Sequence, residues 1–366
     1  MTANELISFA RGAPSLDIID VDGLKAAADA ALTTDPGGAL GYGTAVGYPP
    51  LRKFLADLHG VPVEQVLVTN GSMQADAFLF DELAKAGEPV IVEKPTYDRT
   101  LLGLRGRDAD VRPVSLDVDG IDTDELAALL EGGLRPTFAH IIPNFQNPAG
   151  YTLSLAKRKR LLELAVQYGF VIFEDDPYRL IRFAGEALPS MLELDEGRGN
   201  VVFASSFSKT VAPGTRVGYL VGSAELIKRV FVRATNTYIS PNMLAQAIVH
   251  QFCVSGGMER SIATVNAALA ERVRVLCAAL EKHIPEAKFT APEGGYFMWV
   301  ELGDGVDVAK LLPAAEERGV TFVKGTDFLL DGGESTLRMA YSGVRVDQIE
   351  DGIVRLADAL ASLRVG

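Results

Sequence analysis

Cysteine is almost missing from this sequence, which carries only Cys253 and Cys277. Neither stands in a CxxC or otherwise paired spacing, so a disulfide framework is not expected, and both read as core thiols in a reducing cytoplasm. Histidine is nearly as scarce: His59, His140, His250 and His283 are isolated and show no metal-ligand spacing, so no metal site is expected. Positive charge is in deficit, with 35 Lys and Arg against 48 Asp and Glu and a net charge of −13. Nucleic acid and anionic membrane surfaces need a basic face, and both are set aside as partners. A phosphate-bearing ligand is still allowed, because a local cluster can oppose the global sign. Apolar runs of about 18 residues are absent, so no membrane span is expected, and Met1–Glu5 lacks the basic start of a leader segment. A cytoplasmic protein is the expectation.

What the chain has is apolar material and length. At 366 residues and 48% hydrophobic content it can bury a large core in two lobes, and long disorder is not expected. From Val66 onward short apolar runs alternate with helical periodicity. Strands are predicted at 65–69, 89–93, 110–116, 138–142, 170–174, 201–204 and 217–221, with helices between the earlier ones at 72–86, 97–106, 122–131 and 154–168. Such alternation implies an α/β fold, a mostly parallel seven-stranded sheet flanked by helices. Helical patterns cover 224–236, 243–254 and 258–283. Strands at 296–301, 321–323 and 337–341 with helices at 307–318 and 346–362 then make a smaller α+β domain. The expected division is an N-terminal arm at 1–40, a large domain at 41–270 and a small domain at 271–366. Ligands of such sheets sit beyond the C-terminal strand ends, which places Asn70, Asn144, Asp175 and Ser205 on one rim.

The stretch that organises the rest is Ser206-Phe207-Ser208-Lys209, with Arg216 following a Pro213-Gly214 turn. A lysine at the end of a buried strand is poised to lose its proton, and the neutral amine can form a Schiff base with an aldehyde. Ser206, Ser208 and Arg216 suit a phosphate dianion. Aldehyde and phosphate together suggest pyridoxal 5′-phosphate. Taken alone, Lys209 could equally be an ordinary surface lysine, and each further motif also has a bland reading. Asn70-Gly71-Ser72-Met73 is either an anion site at a helix start or a plain Ser cap. Tyr97 either stacks on a planar ring or decorates a loop. Asn147-Pro148-Ala149-Gly150 is a turn that can aim Asn147 inward. Glu174-Asp175-Asp176 is costly at a buried strand end unless a cation, such as a protonated pyridine, meets one of them. Alternation sets Asp175 on the face of Phe173 and turns Glu174 and Asp176 away. Arg338 on an apolar strand is either a carboxylate fork or half of a structural ion pair.

In this order the motifs Tyr42-Gly43, Leu51-Arg52, Asn70-Gly71-Ser72, Pro95-Thr96-Tyr97, Asn147-Pro148-Ala149-Gly150, Asp175-Asp176-Pro177-Tyr178, Ser206-Phe207-Ser208-Lys209, Arg216-Val217-Gly218, Gly294-Gly295-Tyr296 and Leu337-Arg338 resemble the fold type I aminotransferases. The resemblance spans nearly the whole chain and is to the class I/II branch with the aminoadipate and kynurenine aminotransferases. It implies the two-domain fold of aspartate aminotransferase, pyridoxal phosphate as cofactor, and amino-group transfer between an L-amino acid and a 2-oxo acid. It implies Lys209 as Schiff-base lysine and proton carrier, Asp175 on the pyridine nitrogen, Tyr178 and Asn147 at the phenolic oxygen, and Tyr97 on the ring. Gly71, Ser72, Met73, Ser206, Ser208 and Arg216 would hold the phosphate; Arg338, Gly12 and Asn147 would meet the substrate. Tyr42 would reach the phosphate of a partner subunit in a homodimer.

Two positions depart from the family pattern: Met73, where a polar residue is frequent, and Arg11, where a small one is usual. Arg11 could pair with a second acidic group on the substrate. Two other outcomes belong with these motifs. One is elimination, replacement or ring closure on an amino acid such as S-adenosylmethionine, as in aminocyclopropane-carboxylate synthase. The other is the ligand-sensing half of a transcriptional regulator, which the charge and the early start of the pattern disfavour.

Overall fold

The computed structural model describes residues 6–303 and 305–364; Met1–Glu5, read above for a missing leader, lie outside the described residues. The chain enters through β1 (Ile7–Ser8), α1 (Val21–Thr34), α2 (Pro36–Leu40) and α3 (Pro49–His59). Prolines open α2 and α3, where their missing N–H costs nothing. The alternating region follows as β2 (Val66–Thr69), α4 (Ser72–Leu83), β3 (Pro89–Lys94), α5 (Asp98–Arg105), β4 (Asp110–Asp117), β5 (Gly120–Ile121), α6 (Thr123–Glu131), β6 (Phe138–Ile141), α7 (Leu155–Tyr168), β7 (Val171–Asp175), α8 (Met191–Leu194), β8 (Val201–Ser206) and β9 (Gly218–Val221). Local chemistry sets the boundaries. Asp122 caps α6 by accepting from the amides of Asp124 and Glu125, and α7 runs from a Ser154 cap to Gly169 in the left-handed region.

The large sheet has 8 strands in the order β2-β9-β8-β7-β6-β3-β4-β5. The expected seven are there, and the two-residue β5 adds an eighth by folding back on β4. Pairs from β4 through β3, β6 and β7 to β8 are parallel. β9 runs antiparallel to both β8 and β2, so its reversal lets β2 point the same way as β8. β2, β6, β8 and β9 are buried along their whole length, which is why they read as continuous apolar runs rather than alternating ones.

Three helices follow, α9 (Ala224–Tyr238), α10 (Met243–Val254) and α11 (Gly257–His283). The last part holds β10 (Lys288–Phe289), β11 (Phe297–Glu301), α12 (Val308–Glu316), β12 (Val320–Thr321), β13 (Val323–Lys324), β14 (Thr336–Ala340) and α13 (Val346–Arg364). Its 4-stranded sheet, β10-β11-β14-β13, is antiparallel. β1 pairs with β12, so Ile7 and Phe9 enter the core of this part. Residues 8–13 therefore hang over the rim of the large sheet.

Candidate active site

Lys209 follows the end of β8 and is half-buried. Its Nζ donates to the Gly12 carbonyl at 2.9 Å, 5.0 Å from the Tyr296 ring centre and 5.6 Å from that of Tyr178. Burial, helped by the charges of Arg338 and Arg216 and opposed by Asp175, brings its pKa down to about 8. Tyr296 holds the backbone by donating its hydroxyl to the Lys209 carbonyl at 3.1 Å. Gly12 admits no side chain, since a Cβ there would lie 2.3 Å from Cζ of Phe297.

An anion cradle lies beside the lysine. Ser72 and Met73 start α4, presenting unpaired backbone N–H groups. Gly71 has φ +83°, and a Cβ on it would fall 2.2 Å from Nη2 of Arg216, so glycine lets that guanidinium close over the helix start. The Ser206 hydroxyl donates to Oγ of Ser208 at 2.8 Å and accepts from the Ser208 amide at 3.0 Å. Arg216 donates only to neutral acceptors, Oγ of Ser208 at 3.4 Å and the Pro213 carbonyl at 3.3 Å. A helix N-terminus, hydroxyls and an unneutralised guanidinium are the donor set of a phosphate dianion.

At the opposite end stands Asp175, 5% exposed. Its Oδ1 is buried without a hydrogen-bond partner, and its Oδ2 lies 3.6 Å from Nε2 of His140 on β6. The neighbouring acids point away, as alternation predicts. Glu174 accepts from the amides of Met191 and Leu192, both at 2.9 Å. Asp176 accepts from Nδ2 of Asn144 at 2.7 Å and the Arg179 amide at 3.0 Å.

Asn147 is positioned from below. Glu93 accepts from the Ile142 amide and the Gln146 side chain, both at 3.1 Å, and from the Tyr151 hydroxyl, stapling the loop between β6 and α7. Burial pushes this carboxyl up to about 7, against the pull of those donors. Oδ1 of Asn147 accepts from Nη1 of Arg338 at 2.9 Å, which leaves its amide nitrogen to offer inward. Arg338 spends its other arm on the Ala10 carbonyl at 2.7 Å and lies between the rings of Phe297 and Phe328, 4.2 and 4.8 Å from their centres. Buried and, among the described residues, without a carboxylate in hydrogen-bond contact, this guanidinium is free to take an anion.

Most of the sequence-predicted residues meet here. Ser72, Met73, Tyr97, Asn147, Asp175, Tyr178, Ser206, Ser208, Lys209 and Arg216 line a recess of about 170 Å³, with Gly71 at its edge. Arg11, Gly12 and Arg338 line an adjoining space of about 450 Å³ that shares Tyr97, Asn147, Tyr178 and Lys209. The Tyr97 hydroxyl donates to Sδ of Met73 at 3.8 Å, so the two side chains form one wall. Tyr42 is not in the recess: it is 93% exposed in a separate hollow beside Leu40 and Asn242. Of the four expected rim residues, Asn144 and Ser205 turn to the far side, where the Ser205 hydroxyl donates to the Asp176 carbonyl. Sequence reasoning missed Asp76, which lines the recess, and His140, which it read only for metal spacing. Helical spacing from Ser72 would have found the first; the second needs the β6–β7 register, which sets His140 opposite Phe173.

Pyridoxal phosphate fits these residues. The unpartnered Oδ1 of Asp175 faces one end, the cradle of Gly71, Ser72 and Arg216 the other, and a lysine of lowered basicity stands between. The sequence pattern of the family described as Aminotransferase class I and II matches residues 4–356. A 2-aminoadipate transaminase of Thermus thermophilus is 35% identical over 98% of this chain and 91% of its own. The crystal structure of an α-aminoadipate aminotransferase from the same organism, complexed with N-(5′-phosphopyridoxyl)-L-leucine, superposes with a TM-score of 0.94 at 34% identity, covering 98% of this chain and 93% of that one. A kynurenine aminotransferase of Pyrococcus horikoshii gives 0.93 at 32%, over 99% and 92%. These relatives are named for amino-group transfer and none of them for elimination or ring closure. The chain belongs to the class I and II aminotransferases and is a pyridoxal-phosphate-dependent transaminase.

Proposed function

We propose that Lys209, Asp175, Tyr178, Asn147 and Arg338 carry the transfer, each through one contact. When bound, pyridoxal phosphate supplies an aldehyde and an electron-accepting ring. Lys209, whose amine is largely neutral above about pH 8, takes the proton from the substrate Cα as general base. Asp175, whose Oδ1 is unpartnered, would meet the ring nitrogen and hold its proton; Tyr178 and the Asn147 amide would donate to the phenolic oxygen, and Tyr97 would cover the ring. Arg338 exchanges its neutral partners for the substrate α-carboxylate, its fork kept planar by Phe297 and Phe328. The observation that carries this reading is the Lys209 amine, held on the Gly12 carbonyl in a recess it shares with a cationic cradle and an unsatisfied carboxylate.

The reading keeps residues 41–270 as the domain that holds the coenzyme. Residues 271–366, with the 1–40 arm, bring Arg338 and Gly12 over it. Arg11 is exposed at the rim of the substrate space, and its side chain makes no hydrogen bond or ion pair among the described residues. It favours amino acids with a second carboxylate, the class for which the aminoadipate relatives are named. Tyr42, with Leu40 67% exposed beside it, fits a homodimer in which it completes the partner's phosphate cradle. The free thiols Cys253 and Cys277 fit the cytoplasm.

The test is oxo-acid formation from a panel of amino acids with 2-oxoglutarate as acceptor. Turnover is expected, greatest with dicarboxylic donors. Absence of any transfer by coenzyme-loaded protein would refute the assignment, and equal rates with plain aliphatic donors would remove Arg11 from it.

A further inference from the structure

Helix α4 brings a second acid to the recess. Asp76 stands one turn beyond Ser72 on the same face, lining the space shared with Asp175, Tyr97 and Lys209. It is 5% exposed, and its Oδ1, like that of Asp175, has no hydrogen-bond partner. No cation pairs with it among the described residues. Burial and, after it, the Asp175 charge hold its carboxyl well above the usual carboxylate range. The other titratable or charged groups around the recess are His140 from β6, Tyr97 after β3, Tyr178 after β7, Lys209 after β8 and Arg216 before β9. Glu93 is held behind them. Of these, His140 approaches on the Asp175 side at 3.6 Å, Lys209 and Tyr178 feel the Asp175 charge, and Tyr97 lies close enough to feel both carboxyls. An unpaired buried acid beside another is a standing cost to the ligand-free fold. A cation arriving with the ligand offsets it.

We propose that Asp76 is a positioning residue for the ring-nitrogen proton of the coenzyme, forming with Asp175 a carboxyl pair that keeps this nitrogen protonated into the alkaline range. The inference rests on the reading that Asp175 meets the ring nitrogen. Burial and the neighbouring Asp175 charge favour the protonated form of Asp76. As the pH rises, Asp76 ionises, and its added negative charge opposes loss of the proton on the ring. The ring thus keeps its electron-accepting form where a single carboxylate would begin to lose it. A stability consequence follows in the coenzyme-free chain. Asp76 binds its proton more tightly folded than unfolded, so its contribution to stability is lost as the pH rises above the unfolded value of 3.8.

The experiment binds ¹⁵N-labelled pyridoxal phosphate to the wild type and to Asp76→Asn, and follows the ring-nitrogen chemical shift against pH. The wild type is expected to stay protonated, and the variant to lose the proton about one pH unit or more earlier, the size of shift a nearby buried charge produces. Coincident titration curves would overturn the pair. A wild-type nitrogen unprotonated throughout would overturn the Asp175 reading and the pair with it. Thermal unfolding of the coenzyme-free proteins gives a second reading: as the pH rises above 3.8 the wild type should lose more stability than the variant. Equal losses count against the proposal. Should Asp76→Asn not fold, Asp76→Ser carries the same comparisons.

Discussion

The two sides of β7 hold the same kinds of residue and treat them oppositely. Behind the strand, Arg158 is fully buried yet donates to the carbonyls of Leu153, Pro143 and Pro189 and to Oδ1 of Asn144. Glu174 and Asp176 around it each accept two hydrogen bonds. In front, Arg338 has an unpartnered Nε, Asp175 and Asp76 each an unpartnered Oδ1, and Lys209 a single carbonyl acceptor. Composition and burial are alike; satisfaction differs. Polar groups that close on one another hold the fold, and those left open are aimed at something the chain does not contain.

Substitutions on either side should separate these roles. Lys209→Ala should lower kcat by about 10⁴-fold, the upper range for a lost general base, while the urea midpoint of the coenzyme-free chain stays within experimental error. In the wild type, the rate of coenzyme uptake should climb as the pH approaches about 8 and level off above it, because the neutral amine is the reactive form. A flat profile would break the link between burial and reactivity. Arg158→Leu should do the reverse, removing about 3–5 kcal/mol of unfolding free energy by stranding buried acceptors. A well-folded Arg158→Leu protein would erase the contrast. Arg338→Gln should raise KM for amino acids so that kcat/KM falls about 10²-fold, as expected for a lost charge-assisted fork, with little change in Tm. The smallest effect belongs to Arg11→Ala. It should weaken dicarboxylic donors by about tenfold or less, since an exposed pair contributes only about 1 kcal/mol, and leave monocarboxylic donors unchanged.

Legibility in the sequence followed the same division. The strands of the large sheet were readable because burial on both faces makes Val201-Val202-Phe203-Ala204 and its counterparts continuous apolar runs. The placement of Asp175 was readable from alternation alone. The two-residue β5 was not, since so short a strand carries no periodicity. Neither was the role of Glu93, whose three donors come from a loop folded back beneath it. Asn144 and Ser205 were placed on the rim, and the side they face was not legible. Strand ends fix height above a sheet, while facing depends on how the chain leaves the strand. His140 escaped because its place beside Asp175 depends on the β6–β7 register, whereas the helical spacing of Asp76 from Ser72 was present in the sequence and went unread.

The strand order carries a consequence for how the molecule is made. β2, the first strand of the large sheet in sequence, finds its only strand partner among the described residues in β9, the last strand of that sheet to be synthesised. A Cβ on Gly218 would sit 2.4 Å from the Ser72 amide, so these two ends of the sheet are pressed together where the anion is gripped. Until residue 221 has left the ribosome, Gly71 and Ser72 have no Arg216 to face. The cradle of Gly71, Ser72 and Arg216 is therefore a product of late, long-range closure, and on the proposed reading a coenzyme held there would act as a clasp between the first and last strands of the sheet.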